Sequence, residues 1–336
     1  MKTFISMPDN WLKSSFISEK EMMRLRELGE VVHNETGGGL SKEEFAERVK
    51  DADIVITGWG NCRIDAGMLK DATKLKIILH TGGTVGDLID MSVYDETDVK
   101  VISGNDFYAE SVAEGTLAYI LCALRRLDFH GGNVKKGLWR TGEDFVSEAL
   151  LDQRVGVVSL GAISKHFLKI AKPFRLDFLV YSSRPDPALA EEYGFAYASL
   201  ETIFRECKVV TVHTALNKNT ENMINKNHFK LMRDGALFVN TSRGKIINDE
   251  DLIAELKTGR IQAVLDVFAV EPIPQDSPYM TLDNVTLYPH IAGPTPDRRS
   301  YLTGRLIDDA ANYILNGGTL KNEITKDVAA MMTVHG

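Results

Sequence analysis

Residues 154–164 read RVGVVSLGAIS, an apolar, β-rich run that ends in a turn of small residues. The run HFLKIAKPF, residues 166–174, continues as a helix directly after that turn. A strand, a tight turn and a helix in this order form the first step of a βαβ unit. The stretch therefore predicts a parallel-sheet α/β domain that begins at residue 154.

The turn has the low bulk that lets backbone amides meet a pyrophosphate at a helix N-terminus. The three glycine positions of the usual dinucleotide fingerprint fall on Ser159, Gly161 and Ser164, so the middle glycine alone remains. By itself this pattern is equally compatible with any α/β protein that has a glycine after a strand. We interpret Gly161, Ala162 and Ile163 as candidate cofactor-binding residues, to be weighed with the rest of the chain.

Alternating β-rich and helical segments surround this stretch on both sides. Six β-rich runs follow from residue 154, at residues 155–160, 176–181, 209–213, 236–240, 262–267 and 285–288. Four precede it, at residues 3–6, 53–57, 76–79 and 100–103. Between them lie amphipathic segments such as Glu19–Leu28 and Lys42–Val49, and Ser41 with Glu44 predicts a capping box for the second of these.

This rhythm predicts two doubly wound parallel-sheet α/β domains. We expect a Rossmann dinucleotide-binding domain at residues 126–296, inserted in a flavodoxin-like substrate domain formed by residues 1–125 and 297–336. A helix at residues 108–127 precedes the insertion, and a final helix at residues 298–316 returns to the first domain. The polar, glycine-containing segment 130–153 has no clear period and is interpreted as an arm or a connection between the domains.

The composition is that of a globular protein without a polyanionic partner. The chain has 336 residues, 44% of them hydrophobic and 26% charged, and is too long for one ordinary core. Its 39 basic and 47 acidic residues give a net charge of −8, which argues against nucleic acid and against an anionic membrane surface. The first residues lack the apolar region of a signal peptide, and no apolar run approaches the roughly 18 residues of a membrane span.

The three cysteines, Cys62, Cys122 and Cys207, are far apart and odd in number. Neither a disulfide framework nor a metal site can be built from such spacing. We therefore expect no metal, and a reducing cytoplasm as the compartment.

Three polar stretches stand at the ends of predicted strands in the second half. They are NTSRG at residues 240–244, LDVFAVEP at residues 265–272 and YPHIAG at residues 288–293. Open α/β sheets bind ligands at the carboxyl ends of their strands, so we expect Arg243, Glu271 and His290 to form one site. Taken singly, each has a simpler interpretation: a surface arginine, a Glu-Pro turn and a half-buried histidine. Their joint occurrence at strand ends favours a catalytic site.

These residue types suit hydride transfer to a 2-oxo acid. The planar guanidinium of Arg243 offers several donors to a carboxylate and a carbonyl oxygen. His290 can deliver a proton to the oxygen on which charge develops, and Glu271 would hold the imidazole in one tautomer. We predict an oxidoreductase that moves a hydride between NAD(P)H and C2 of a 2-oxo or 2-hydroxy acid.

The cofactor preference depends on the end of the second strand of this series. Ser182 stands where an NAD-binding domain usually has a carboxylate, which accepts from the ribose hydroxyls and repels a 2′-phosphate. Ser183 and Arg184 add a hydroxyl and a guanidinium that suit such a phosphate. The run favours NADP over NAD; the alternative is a solvated turn before Pro185.

Further stretches match a known pattern: AESVAE at residues 109–114, a loop at residues 213–220, and NHFKLMRDGALFVN at residues 227–240. Together with the catalytic stretches they resemble the D-isomer-specific 2-hydroxyacid dehydrogenase family over nearly the whole chain. The resemblance implies that Arg243 binds substrate, that His290 is the acid/base and that Glu271 is its partner. It implies a set of cofactor contacts besides Arg243 and His290: His213, Thr214, Ala215, Thr220, Thr241, Ser242, Asp266 at the nicotinamide amide, and Gly293.

Several positions depart from the family pattern and leave the particular 2-hydroxy acid open. Tyr108 stands where the family has Asn before AESVAE. The carboxylate-binding loop is the variant HTGGTV, in which Gly82, Gly83 and Thr84 would bind the substrate through backbone amides. Trp59 would wall the same pocket, although a tryptophan is more often a core residue.

Two other functions stay open at this point. One is a formate- or phosphite-type dehydrogenase of the same architecture, although formate has no oxygen for the Glu271–His290 pair to protonate. The other is a non-catalytic, dinucleotide-sensing binding protein, which the two serines of the phosphate turn allow and the three intact catalytic residues argue against. The resemblance also implies a homodimer, around which the segment 130–153 would wrap.

Overall fold

The computed structural model describes residues 1–139 and 147–332. The chain divides into two compact units: unit 1 comprises Met1–Tyr108 and Pro294–Gly336, and unit 2 comprises Ala109–Gly293. The chain thus passes from unit 1 to unit 2 and back again. No helix in the described part of the chain is both long and apolar enough to cross a bilayer.

Among the residues described, unit 1 contains a five-stranded parallel sheet. Its strands are β1 (Lys2–Ile5), β2 (Glu30–His33), β3 (Ile54–Thr57), β4 (Ile77–His80) and β5 (Lys100–Ser103). Their spatial order is β2-β1-β3-β4-β5, which is the flavodoxin-like order. Side chains alternate between two apolar cores, with Phe4 and Val55 in one and Ile5 and Ile56 in the other.

Unit 2 contains a seven-stranded parallel sheet in its described residues. Its strands are β6 (Arg154–Val158), β7 (Asp177–Tyr181), β8 (Ala196–Tyr197), β9 (Val209–Val212), β10 (Leu237–Asn240), β11 (Gln262–Leu265) and β12 (Val285–Leu287). The order β12-β11-β10-β9-β6-β7-β8 is the Rossmann order with an added outer strand. The prediction of two doubly wound parallel-sheet domains is confirmed.

Helices connect these strands. They are α1 (Trp11–Phe16), α2 (Glu19–Leu28), α3 (Lys42–Val49), α4 (Ala66–Leu69), α5 (Met91–Glu96), α6 (Asn105–Arg125), α7 (Leu127–Lys135), α8 (Ala162–Ala171), α9 (Pro187–Tyr193), α10 (Leu200–Glu206), α11 (Lys226–Phe229), α12 (Asp249–Leu256), α13 (Pro296–Asn316) and α14 (Lys326–Ala329). The predicted capping box of α3 is present: Ser41 Oγ accepts from the Glu44 N–H at 3.2 Å, and Glu44 Oε2 accepts from the Ser41 N–H at 2.8 Å.

Two short strands, β2 and β8, have no counterpart among the predicted strands. Both lie at the edge of their sheet. β2 reads EVVH and is at most half-buried, while β8 consists of two residues. An edge strand has a single neighbour and needs fewer buried Val and Ile residues, so its sequence signal is weak.

The division between the units falls earlier than the predicted boundary after residue 125. Helix α6 starts in unit 1 and continues in unit 2, where Ala113, Ile120 and Leu124 pack with Val155 of the unit 2 sheet. The apolar pattern of a helix shows that one face is buried but not against which sheet, so the sequence placed α6 in the first domain. The second boundary, predicted before residue 297, lies at Pro294 in the observed division.

The segment 130–153, interpreted as an arm, begins inside a helix. α7 runs from Leu127 to Lys135, and none of its residues is buried in the described structure. Since α7 buries no face, its residues follow no apolar period, and the pattern does not reveal the helix. Residues 140–146 of the segment lie outside the described residues.

Candidate active site

The turn after β6 carries the small residues predicted to meet a pyrophosphate. Ser159 adopts φ +81°, a conformation that glycine accepts more readily, and the Ser164 hydroxyl donates to the Ser159 carbonyl at 2.8 Å. Gly161 is the N-cap of α8, which Ala162 and Ile163 open. Apart from its chain neighbours and the adjacent helix backbone, no heavy atom of the described chain lies within 4 Å of where a Cβ on Gly161 would stand. The turn thus presents an open helix N-terminus, an arrangement that accepts an anion.

The end of β7 carries the residues predicted to select the cofactor. The Arg184 backbone N–H donates to Ser182 Oγ at 3.1 Å, which closes a local turn. Ser183 and Arg184 are exposed, and Ser182 is half-buried. The structure therefore places two hydroxyls and a guanidinium on one accessible turn.

The loop after β9 holds four of the predicted cofactor contacts. His213 is 6% exposed beside the ring of Phe167, and its Nδ1 has no hydrogen-bond partner among the described residues. Thr214 and Ala215 are half-buried, and Thr220 Oγ1 donates to the Ala215 carbonyl at 2.7 Å. The His213 side chain therefore faces the core, which leaves its backbone and the neighbouring residues to face a ligand.

Arg243 stands in the loop after β10. Asn240 Oδ1 accepts from the N–H and the hydroxyl of Ser242 at 3.0 and 2.8 Å, and Asn240 Nδ2 donates to the Arg243 carbonyl at 3.1 Å. A Cβ on Gly244 would lie 1.9 Å from the carbonyl carbon of Phe268. Glycine at this position therefore lets the Arg243 loop pack directly against the loop after β11.

His290 and Glu271 form a hydrogen-bonded pair, with 2.7 Å between His290 Nδ1 and Glu271 Oε2. The other carboxylate oxygen, Oε1, accepts from the Phe268 N–H at 2.9 Å. Because a carboxylate only accepts, His290 Nδ1 carries a proton and Nε2 is left for a ligand. The two side chains are 48% and 36% exposed, so the pair is accessible. Gly293, further along the same loop, is half-buried.

Asp266, expected to meet the nicotinamide amide, is 1% exposed. Its Oδ1 accepts from the Tyr119 hydroxyl at 3.0 Å and the Ile291 N–H at 2.9 Å, and its Oδ2 accepts from the Ala292 N–H at 2.9 Å. A carboxylate has about four acceptor positions, so three protein donors leave about one for a ligand. The sequence analysis did not identify Tyr119, because no local sequence pattern indicates that a tyrosine in a helix contacts a residue as distant in sequence as Asp266.

In unit 1, the loop HTGGTV after β4 is the one predicted to bind a carboxylate. A Cβ on Gly82 would lie 2.3 Å from His80 Nε2, so a larger residue there would have to displace the His80 ring. The Gly83 carbonyl accepts from Ser103 Oγ at 3.1 Å, and Thr84 is half-buried. The loop is therefore built from small residues and held by β5, as a backbone-amide anion site requires.

Trp59 and Tyr108 also belong to unit 1, where they pack edge to face with ring centroids 6.3 Å apart. Trp59 is 46% exposed and so is not a core residue. The Tyr108 ring lies against Gly83, and its hydroxyl is buried without a partner among the described residues. Burial raises the pKa of Tyr108, so its hydroxyl stays protonated. The two rings form an aromatic wall that contains one unsatisfied polar atom.

Of the three cysteines, Cys122 contacts the candidate site, where its Sγ accepts from the Tyr288 hydroxyl at 3.9 Å. Burial raises the pKa of Cys207 to about 12, and it also raises the pKa of Cys62 and of Cys122. Within residues 1–139 and 147–332, no three His, Cys, Asp or Glu side chains come together as they would around a metal ion.

A family model covers more than half of the chain. Residues 117–292 match the NAD-binding domain of the D-isomer-specific 2-hydroxyacid dehydrogenases. The chain belongs to this family. The family assignment from sequence motifs is confirmed, and the match places an NAD(P)-binding domain on unit 2.

Several related proteins match this chain over most of its length. A glyoxylate reductase of Korarchaeum cryptofilum is 32% identical over 77% of this chain and 79% of its own. A D-3-phosphoglycerate dehydrogenase of Methanocaldococcus jannaschii is 31% identical over 92% of this chain and 58% of its own. The chain spans a little over half the length of the phosphoglycerate dehydrogenases it matches. The crystal structure of the TT0316 protein from Thermus thermophilus has a TM-score of 0.76 and 27% identity, and the match covers 97% of this chain and 100% of that one.

Two buried histidines, His80 and His213, should make the free energy of unfolding of the protein depend on pH. Burial lowers their pKa values from an ordinary 6.5 to about 4 for His80 and about 3 for His213. The unfolded chain then binds more protons, so this stability is present above pH 6.5 and is lost as the pH falls toward 4. We expect each histidine to lower the free energy of unfolding by roughly 2 kcal/mol when the pH falls from 7 to 5.

Urea unfolding at these two pH values measures the loss. His213→Gln should remove about half of it. A pH dependence identical in wild type and His213→Gln would contradict this origin.

Proposed function

We propose that this chain is an NAD(P)-dependent D-2-hydroxyacid dehydrogenase, which reduces a 2-oxo acid or oxidises the corresponding 2-hydroxy acid. The observation that carries the proposal is the 2.7 Å contact between His290 Nδ1 and Glu271 Oε2, beside the loop of Arg243. These loops follow β10, β11 and β12, at the edge where doubly wound sheets bind ligands. The open turn at Gly161 follows β6 of the same sheet and has room for a pyrophosphate.

A bound nicotinamide would supply or take up the hydride. Arg243 would bind the carboxylate and the carbonyl oxygen of the acid with its planar fork of donors. His290 would hold a proton at Nε2 and deliver it to that oxygen, on which negative charge develops as C2 is reduced. Glu271 would keep the imidazole oriented through Nδ1, and the Phe268 N–H keeps Glu271 in place.

We propose that the dinucleotide lies along the strand ends of unit 2. Its pyrophosphate would meet the backbone at Gly161, Ala162 and Ile163. Its adenosine ribose would meet the turn of Ser182, Ser183 and Arg184, which favours a 2′-phosphate and therefore NADP. The remaining predicted contacts lie on loops after β9 to β12: Thr214, Ala215, Thr220, Thr241, Ser242, Asp266 and Gly293.

We propose that the aromatic wall of Trp59 and Tyr108, with the loop at Gly82, Gly83 and Thr84, binds the acid. An unpaired buried hydroxyl costs free energy, and a polar substituent of the substrate would give the Tyr108 hydroxyl a partner. This favours 2-oxo acids that carry a hydroxyl or another acceptor beyond C2.

A panel of 2-oxo acids tests the activity against its two alternatives. Glyoxylate, hydroxypyruvate, phosphohydroxypyruvate and a branched 2-oxo acid are each supplied with NADH and with NADPH, and loss of reduced nicotinamide is followed. We expect turnover with at least one acid. Dinucleotide binding without turnover would favour the sensing protein, and reduction of NAD by formate or phosphite would favour the other dehydrogenase.

We propose a homodimer that buries exposed apolar side chains of α7 and of the residues just after it. Five apolar side chains on or just after this helix are exposed, from 39% for Phe129 to 76% for Trp139; the others are Leu127, Val134 and Leu138. Exposed apolar side chains in this number, on a helix with no buried residue, support the proposal of an interaction surface. A two-fold axis through it would let each protomer cover the other.

Sedimentation checks this assembly. At micromolar concentration we expect a mass twice the 37.3 kDa of the chain. Trp139→Arg should shift the protein toward monomer, whereas Trp11→Arg, at a tryptophan 74% exposed in unit 1, should not. A wild-type monomer would refute the dimer.

We also propose the cytoplasm as the compartment. Cys62, Cys122 and Cys207 are free thiols. Free thiols of this kind persist in a reducing compartment.

A further inference from the structure

The proposed catalytic residues lie on loops, so their positions depend on the residues that contact those loops. His290 adopts φ +54°, a left-handed conformation that is unfavourable for a non-glycine residue. Such a conformation persists where the surroundings over-determine it. The contacts on both sides of His290 therefore show what sets its position.

One face of helix α6 contacts these loops at three successive points. Gly115 leaves room for the loop after His290, because a Cβ there would lie 3.0 Å from the Ala292 carbonyl oxygen. Thr116 and Tyr119 follow on the same face, one helical turn apart. Both are buried, at 0% and 9% exposure.

Tyr119 contacts the His290 loop on both sides of the histidine. Its ring stacks on Tyr288, with centroids 4.2 Å apart and planes 7° from parallel. Its hydroxyl donates to Asp266 Oδ1, and the same carboxylate accepts from the N–H groups of Ile291 and Ala292. The stacking holds the chain before His290, and the carboxylate holds the chain after it.

The charge state of Tyr119 suits this contact. Burial, with the neighbouring Asp266 carboxylate, raises the pKa of Tyr119 above its usual range. The hydroxyl therefore remains a donor throughout the pH range of an ordinary assay.

Thr116 makes the corresponding contact to the Arg243 loop. Its hydroxyl donates to the Val112 carbonyl at 2.7 Å, so it accepts from the Thr241 hydroxyl, 2.9 Å away. Thr241 is buried two residues before Arg243. The threonine pair therefore ties the start of the Arg243 loop to α6.

We propose that Tyr119 and Thr116 are positioning residues: through α6 they set the His290 and Arg243 loops in register with each other. This inference deepens the proposed function and rests on it. It also assigns Asp266 a role that the motif does not indicate, since its carboxylate joins Tyr119 to the backbone after His290. A shared rigid helix keeps a proton donor and a carboxylate-binding cation in register, and a shift of about 1 Å in such a site can cost roughly 100-fold in rate.

Tyr119→Phe tests the first contact, because it removes the hydroxyl and keeps the ring on Tyr288. We expect kcat to fall roughly 10-fold, with little change in KM for the dinucleotide. Tyr279→Phe is the matched control: Tyr279 is 3% exposed and its hydroxyl donates to Asp249 Oδ1 at 2.9 Å, on α12. That control should lose similar stability and keep its kcat.

Thr116→Val tests the second contact, since valine keeps the shape and removes the hydroxyl. Its effect should appear mainly as a roughly 5- to 10-fold rise in KM for the acid, because Arg243 binds the carboxylate. The control is Thr303→Val on α13, where a buried threonine hydroxyl donates to the Arg299 carbonyl at 3.1 Å. A general loss of packing would not lower kcat in Tyr119→Phe while raising mainly KM in Thr116→Val.

Amide hydrogen exchange separates failure of this inference from failure of the proposed function. In Tyr119→Phe the amides of Ile291 and Ala292 should exchange at least several-fold faster than in wild type or Tyr279→Phe, with or without a known substrate. If the wild type reduces no 2-oxo acid while this exchange difference is present, the proposed function fails and the loop contact stands. Exchange and kcat in Tyr119→Phe equal to those of Tyr279→Phe would overturn the positioning role.

Discussion

We expect His290→Asn to lower kcat for the best 2-oxo acid by roughly 10²- to 10⁴-fold, the usual contribution of a general acid. Asparagine can still reach Glu271 but has no proton to deliver at the position of Nε2. Because the cofactor turn at Gly161 is built from other elements, dinucleotide affinity should stay within a few-fold of wild type. Steady-state kinetics with a fluorescence titration of NADPH measure both quantities.

Two companion variants sharpen this result. Glu271→Gln should also lower kcat, by roughly 10-fold or more, because an amide can present a donor to Nδ1 and so favour the other tautomer of His290. His33→Asn, a change at the half-buried end of edge strand β2, should leave kcat unchanged. Near-normal turnover in His290→Asn would remove His290 from the mechanism.

The second large effect concerns the choice between NADPH and NADH. A charge-assisted contact from Arg184 to a 2′-phosphate contributes about 1.5–3 kcal/mol, which corresponds to roughly a 10- to 150-fold preference for NADPH in kcat/KM. Arg184 is exposed on a turn that the Ser182 hydroxyl closes, so a phosphate can reach it from solvent. Arg184→Ala should remove most of the preference.

Ser182→Asp should go further and move the ratio toward NADH. A carboxylate there accepts from the ribose hydroxyls of NAD and repels a 2′-phosphate. Arg205→Ala, a change at an exposed arginine on α10, serves as the control and should leave the ratio unchanged. A wild-type preference for NADH would contradict the NADP prediction and leave residues Ser182, Ser183 and Arg184 as an ordinary turn.

Most of the fold was predictable because its signals are local. Parallel strands buried on both faces read as runs of Val and Ile, and the interior strands of both sheets appear in the sequence as such runs. Helix α3 begins where Ser41 and Glu44 form a capping box, which needs residues three apart and no tertiary partner. The partly buried edge strand β2 and the two-residue edge strand β8 were missed.

In the candidate site, too, some features were predictable from local sequence and others depended on tertiary contacts. Arg243, Glu271 and His290 were predictable because each follows a strand, and parallel strands end at one edge of a sheet. The family resemblance predicts His213 as a cofactor contact without saying where its side chain lies, and in the structure that side chain is 6% exposed. The direction of a loop side chain depends on neighbours such as Phe167, which comes from another part of the chain.

The sequence by itself determined the two parallel-sheet domains, the family, and which residue types stand at the strand ends. Those properties follow from the alternation of strands and helices and from short motifs, so local order along the chain is sufficient. The tertiary structure decided that most of α6 belongs to unit 2 and that Tyr119 and Asp266 contact the His290 loop. Tyr119 and Asp266 are 147 residues apart in sequence, and contacts at that separation depend on how helices pack against a sheet, which no local pattern records.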